Sequence, residues 1–259
     1  MTTALTIERA SASRFDAAPL VIAPRFCGPP GTGNGGYVAG WLAARLGAAG
    51  AVEVTLRRPA PLGVPLFARH DETSGAALAL ADPDGNPIAE ARAVDAAPDE
   101  PPAIPRAADI EGAPAPDFVH PFPGCFVCGP ARGHGDGLRI LPVDVPGAGV
   151  SAAHWTPGAD LAGRGGVVDP VFVWAALDCP GYFGATLGRP REPLLLGRMT
   201  ATVTRPLRAG ARLRVVGWSL ARDERRHTAA TALVDERGRI VARSRQIWIA
   251  PRSAGGPGR

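Results

Sequence analysis

The sequence predicts an α+β fold made of two tandem copies of one unit, each a curved antiparallel sheet wrapped around a central apolar helix. Three observations lead there. One segment in each half is too apolar for a surface helix, and a helix apolar all round has to be covered on every side. Alternating, strand-like runs follow each of these segments, and a bent sheet can supply the cover. Landmarks also recur at nearly constant spacing. The Arg58-Pro59 corner returns as Arg205-Pro206, 147 residues on, and the turn glycine Gly85 returns as Gly238, 153 residues on. Such recurrence is the signature of a duplicated unit.

The elements follow in order. Residues 4–7 and 20–23 are short strand candidates. Residues 27–46 read Cys-Gly-Pro-Pro-Gly-Thr-Gly-Asn-Gly-Gly-Tyr and then a helix rich in Ala, Leu and Trp whose one charge is Arg45. The first amides of a helix lack partners within it and carry the positive end of its dipole. Glycines there let a ligand approach the backbone. The stretch offers either a seat for an oxygen bearing negative charge or a tight turn into a core helix. Gly47 and Gly50 stop the helix. Strands are expected at 52–56, 65–70, 76–81 and 88–94, with Asp84-Gly85 as a hairpin turn. Residues 96–117 hold six prolines and several acids, the composition of a linker that wraps rather than packs. A strand at 150–155 precedes a second apolar helix at 169–177, with Asp169 as N-cap and Pro170 at the first helical position. Residues 199–204 alternate and run into Arg205-Pro206, and strands at 213–220, 228–234 and 240–249 complete the half. The division is a first unit at 1–95, a linker at 96–117, a second unit at 118–250 and a flexible tail at 251–259.

Composition and spacing remove several function classes. All 28 basic residues are arginine, so Schiff-base and pyridoxal phosphate chemistry have no lysine to use. A net charge of +4 with scattered arginines is not the footprint of a nucleic-acid binder. No apolar run reaches membrane-spanning length, and residues 1–10 lack a signal peptide's pattern, which points to a cytoplasmic protein. Residues 28–35 have P-loop spacing, but Asn34 and Gly35 stand where lysine and a hydroxyl are required. Gly31, Gly33 and Gly36 match the dinucleotide fingerprint, with Glu53 at a fitting distance. Yet prolines interrupt the strand that should precede it, so this remains a minor alternative. There is no Gly-x-Ser-x-Gly elbow. Cys125 and Cys128 have the spacing of half a zinc site, which His120, His134 or Cys179 would have to complete. Buried thiols in a turn are the default, and no metal is assigned.

Three motifs carry a resemblance. Asn34-Gly35-Gly36-Tyr37 opens the first helix. Ala176-Leu177-Asp178, with Gly181 following, ends the other apolar helix. Cys125-Phe126-Val127-Cys128-Gly129 runs on to Gly137-Leu138-Arg139-Ile140. With them, the chain resembles the hotdog fold, and within it the double-hotdog acyl-CoA thioesterases, over most of its length outside the linker and tail. The Asn34 motif is similar to the His-Gly-Gly or Asn-Gly-Gly turn of single-hotdog thioesterases. The Asp178 motif is similar to their helix segment bearing the catalytic carboxylate, and the cysteine motif resembles the opening of many hotdog domains.

The resemblance implies thioester hydrolysis without a cofactor. The family's carboxylate lies nine residues after the His or Asn of the turn. Asp178 is nine after Asp169, whereas nine after Asn34 is Ala43. One composite site per chain is therefore expected, with Asn34, Gly35 and Gly36 from the first unit and Asp178 from the second. The mirror site, Asp169 with Ala43, would be dead. Gly36 and Gly35 would hold the carbonyl oxygen as it gains charge. Asn34 would orient thioester or water, and Asp178 would act as base or nucleophile. Tyr37 would border the substrate. Arg58 and Arg205, with Arg57 and Arg208, would meet the phosphates of coenzyme A. Asp169 reads first as an N-cap, with catalysis as its second reading. Asp178 is expected near a helix end, where burial and the negative dipole end both raise its pKa; the bland reading is a helix-ending turn. The implied partner is an acyl thioester with its coenzyme A moiety, met by a monomeric pseudo-dimer or a homo-oligomer of it. Binding an acyl thioester or apolar ligand without turnover is the alternative. A hydratase would need His154 and Asp160.

Overall fold

The structure, a computed structural model, describes residues 18–70, 77–96 and 99–251. In chain order the elements are β1 (Leu20–Val21), α1 (Gly35–Leu46), β2 (Ala51–Leu56), β3 (Pro65–His70), β4 (Leu78–Ala81), β5 (Pro87–Val94), α2 (Ala107–Glu111), β6 (Val143–Val145), β7 (Val150–Trp155), α3 (Pro170–Ala185), β8 (Leu195–Val203), β9 (Leu213–Asp223), β10 (Arg226–Val234) and β11 (Ile240–Ile249). The strands form one antiparallel sheet in the order β1-β3-β4-β5-β2-β8-β11-β10-β9-β7-β6. The strand candidate at 4–7 and the tail beyond Pro251 lie outside the described residues.

The sheet order reads alike from both sides, β3-β4-β5-β2 from one and β9-β10-β11-β8 from the other, meeting where β2 pairs β8. The spacings seen in the sequence persist in the register. Leu56 pairs with Ala89 and Val203 with Ala242, so the equivalent residues are 147 and 153 apart. At the join, Glu53 lies opposite Thr200, again 147 apart. Gly85 and Gly238 both turn their hairpins at positive φ, 83° and 78°, and each donates its N–H to an aspartate carbonyl three residues back. Alternation sends neighbouring residues to opposite faces. Val215 and Ala229 join the core around the helices, while Val216 and Ala230 join a smaller cluster on the other face.

α1 and α3 pack on each other and on the sheet. Their contact is close because α1 has glycine at the crossing. A Cβ on Gly36 would stand 3.0 Å from Ala175 Cα, and one on Gly40 3.0 Å from Val171 Cα. This fixes an antiparallel register that sets Tyr37 beside Phe172, with ring centroids 6.0 Å apart. Gly47, at φ 62°, closes α1 as expected.

Two expectations are corrected. The second apolar helix does not end at Leu177; it continues through Pro180 to Ala185. Proline removes one helical hydrogen bond and crowds the carbonyl a turn back, but the sheet makes room. The carbonyl that Pro180 deprives of its donor is that of Ala176, and the next one, of Leu177, accepts hydrogen bonds from Gln246 Nε2 at 2.7 Å and Thr231 Oγ1 at 2.9 Å. A Cβ on Gly181 would fall 1.7 Å from Gln246 Oε1, and one on Gly217 2.0 Å from the Pro180 carbonyl oxygen. Glycine at both places is what lets the helix run on. The segment read as a linker that does not pack also carries a helical turn, α2, which buries Ile110 in the cluster that holds Val150 and Val216. No helix among the described residues is long and apolar enough to cross a membrane.

Candidate active site

Asn34 is the N-cap of α1, and its Oδ1 accepts the Tyr37 N–H at 2.9 Å. That bond fixes the side-chain amide, so Nδ2 points away from α1. It donates to Asp178 Oδ2 on α3 at 2.8 Å. The Gly36 N–H, free of any helical partner at the second position of α1, donates to the same oxygen at 2.9 Å. The glycine is essential to this approach, since a Cβ there would stand 2.5 Å from Asp178 Cβ. Asp178 Oδ1 is buried and has no hydrogen-bond partner.

The Asp178 carboxyl is pushed up to about 7. Burial is the largest cause; the Gly36 N–H pulls the other way, the Cys125 sulfur adds to the rise, and the Asn34 amide opposes it. The expected contribution of a helix end is absent, because Asp178 sits mid-helix in α3. Raised pKa values of this kind suit a group that must take up a proton near neutral pH.

Asp178, Asn34 and Gly35 border a cavity of about 300 Å³. Its apolar wall includes Val38, Leu56, Leu196 and Trp248, and Arg57 and Arg58 stand at its exposed edge. Arg57 is already paired with Glu90 at 2.7 Å. The other site candidates lie elsewhere. Asp169 is exposed at the N-cap of α3, accepting the Val171 N–H at 2.9 Å, and does not line the cavity. Tyr37 stacks on Phe26 at 4.5 Å in an aromatic cluster outside the cavity. Arg205 is exposed and outside it too.

Sequence reasoning missed Tyr182, His120 and Cys179 as cavity residues. Tyr182 follows Asp178 by one helical turn and shares its face, a signal hidden once the helix was ended at Leu177. Its buried hydroxyl has no partner, and burial pushes its pKa up. Cys179 brings its sulfur to those of Cys125 and Cys128, all three lying within 4.8 Å of one another.

These elements define the hot dog fold, and solved structures place it there. A candidate thioesterase from Novosphingobium aromaticivorans is similar at TM-score 0.60 and 15% identity, over 92% of this chain and 98% of its own. A tesB protein from Mycobacterium avium subspecies paratuberculosis is similar at TM-score 0.59 and 14% identity, over 89% and 91%. A hot dog fold protein of unknown function from Alicyclobacillus acidocaldarius is similar at TM-score 0.55 and 13% identity, over 94% and 97%. No protein-family model and no curated protein sequence matches the chain.

Proposed function

We propose that the chain is two fused hotdog units acting as an acyl-CoA thioester hydrolase, with one composite site per chain. The observation that carries this reading is the treatment of Asp178. One carboxylate oxygen is held by Asn34 and Gly36, some 140 residues earlier in the chain, while the other is buried, unpartnered and part of a group bordering an apolar cavity. The repeated offsets and the paired sheet order support the fused pair.

In this reading the acyl chain lies in the cavity and the coenzyme A phosphates meet Arg58. Asp178 Oδ1 takes the proton from water as its oxygen attacks the thioester carbonyl. The C–S bond then breaks, and the leaving thiolate takes that proton from Asp178, which returns to its carboxylate form. Asn34 and Gly36 keep the carboxylate aimed. Gly35, the first residue of α1, supplies the N–H for the carbonyl oxygen as it gains charge. This moves the oxyanion role from Gly36 to Gly35, because the Gly36 N–H is occupied by Asp178. The same occupancy favours the second reading, a protein that binds an acyl thioester without turning it over.

A thiol-release assay over a panel of acyl-CoAs, with wild type beside Asp178→Asn, separates the two. Release that needs Asp178 supports hydrolysis at the composite site. Binding of the panel with no release at any acyl length supports the second reading, and release indifferent to Asp178 removes the composite site.

A further inference from the structure

We propose that Cys125, Cys128 and Cys179 form a zinc site in the cavity wall, with three thiolate ligands and a fourth position open to the cavity. Their sulfurs converge from two distant stretches of chain, and the Cys125 and Cys179 sulfurs are 3.6 Å apart. Zinc–sulfur bonds of about 2.3 Å in tetrahedral array set ligand sulfurs about 3.8 Å apart. The three thiols therefore stand close to a zinc-ligand arrangement while remaining too far apart for a disulfide, whose sulfurs meet at about 2.05 Å.

The local backbone is shaped for this. Gly129 donates its N–H to the Cys125 carbonyl at 2.9 Å, and a Cβ on Gly129 would fall 2.5 Å from that oxygen. Cys125-Phe126-Val127-Cys128-Gly129 is thus a turn that only glycine can close. The Cys125 and Cys179 sulfurs are 3.6 Å apart, with the Cys128 sulfur within 4.8 Å of both, so the turn delivers two of its thiols to the third on α3. Phe126 donates its N–H to Cys27 and accepts from Leu138, and Val127 accepts from Ile140, so the turn is held on both sides.

A second observation points to a ligand at the same place. Asp178 Oδ1, Tyr182 Oη and His120 Nε2 are all buried without partners, and all three residues border the cavity with the three cysteines. His120 Nδ1 accepts the Phe122 N–H at 3.1 Å, so in the neutral ring Nε2 carries the hydrogen and is a donor. It suits a water or anion bound at the fourth position better than the metal itself. Thiolate donors select soft or borderline cations, zinc among them, and three protein ligands with an open position are the pattern of a zinc ion that can take up a ligand. Each thiol gives its proton to solvent on binding. The proposal does not depend on thioester hydrolysis.

Cys27 is an internal control, since its sulfur accepts from Arg132 Nη2 at 3.0 Å outside the cluster. The full chain, reduced and stripped with a chelator, is titrated with Co²⁺ and then Zn²⁺. Expected are thiolate-to-cobalt charge-transfer absorption saturating at one cobalt per chain and its loss on adding one equivalent of zinc. Cys128→Ser and Cys179→Ser should each weaken cobalt binding at least tenfold, and Cys27→Ser should leave it unchanged. If the serine variants fail to fold, the wild-type spectrum still decides: absence of the charge-transfer band in folded, fully reduced protein overturns the site. Equal cobalt binding by a folded Cys128→Ser/Cys179→Ser double variant also overturns it.

Discussion

Replacing Asp178 by asparagine is expected to cut turnover by orders of magnitude and to stabilise the protein, increasingly so as pH rises. The substitution keeps the side chain's shape, and its Oδ1 still accepts from Gly36 and Asn34, but it carries no charge. In the wild type the folded carboxyl releases its proton near 7, against an ordinary value of 3.8. A folded-state pKa raised in this way means stability that is complete below about 3.8 and lost as pH climbs to about 7. At about 1.4 kcal/mol per unit, the whole loss is on the order of 4 kcal/mol. Between pH 5 and pH 8 roughly 2–3 kcal/mol of it falls due, a midpoint difference on the order of 5–10 °C in a chain of this size. Titrations common to both proteins cancel in the comparison. Thermal unfolding of chelator-treated wild type and Asp178→Asn across that range should therefore show midpoints that diverge with pH. Hydrolysis should fall by about 10²–10⁴, the worth of a general base. Midpoints that stay parallel would show that burial does not govern this carboxyl. Unchanged hydrolysis would remove Asp178 from the chemistry.

Three further outcomes follow from the packing. Gly36→Ala should destabilise by about 1–3 kcal/mol or more, since the new methyl meets Asp178 Cβ at 2.5 Å and the Trp174 carbonyl oxygen at 2.8 Å; a denaturant midpoint equal to wild type would contradict the close helix crossing. Arg58→Ala should raise KM for acyl-CoA roughly fivefold, about 1 kcal/mol for one exposed ion pair, and leave kcat and the KM of a phosphate-free N-acetylcysteamine thioester unchanged. Equal effects on both substrates would take Arg58 away from the phosphates. Gln246→Leu should cost roughly 1–3 kcal/mol, because the buried Trp248 indole N–H loses its acceptor at 2.7 Å while Leu177 keeps Thr231. Chemical denaturation checks this, and a neutral result would mean the indole finds another partner.

The recurring landmarks were legible because they are local. An Arg-Pro corner and a turn glycine are read from neighbouring residues, and the spacing between their two occurrences survives into strand register. Asn34, Gly36 and Asp178 were legible as a set only through the resemblance, since nothing local links residues some 140 apart. The end of α3 was illegible for a physical reason. Asp178-Cys179-Pro180-Gly181 has the composition of a helix stop, and the groups that overrule it, Gln246, Thr231 and Gly217, come from strands that fold back from later in the chain. That error then hid Tyr182. Tyr37 and Asp169 lie off the cavity, and each has a local use, ring stacking on Phe26 and capping of α3.

The two caps explain why one composite site is expected rather than two. Gly36 in α1 and Val171 in α3 are equivalent, each two residues after its N-cap and each at the helix crossing. Asn34 spends its Oδ1 on the third amide of α1, that of Tyr37, which leaves the second amide, that of Gly36, free to reach across to Asp178. Asp169 spends its Oδ1 on the second amide of α3, that of Val171, so the amide that would reach across is satisfied at home. Pro170 removes the first amide as well. An acid at Ala43, the position equivalent to Asp178, would be buried with no donor to hold it, and burying an unpaired carboxylate costs several kcal/mol. A side chain that differs in charge, capping one amide earlier, is thus enough to make the N-termini of α1 and α3 unequal. Once that amide is lost to the cap, alanine is the residue the second position can tolerate.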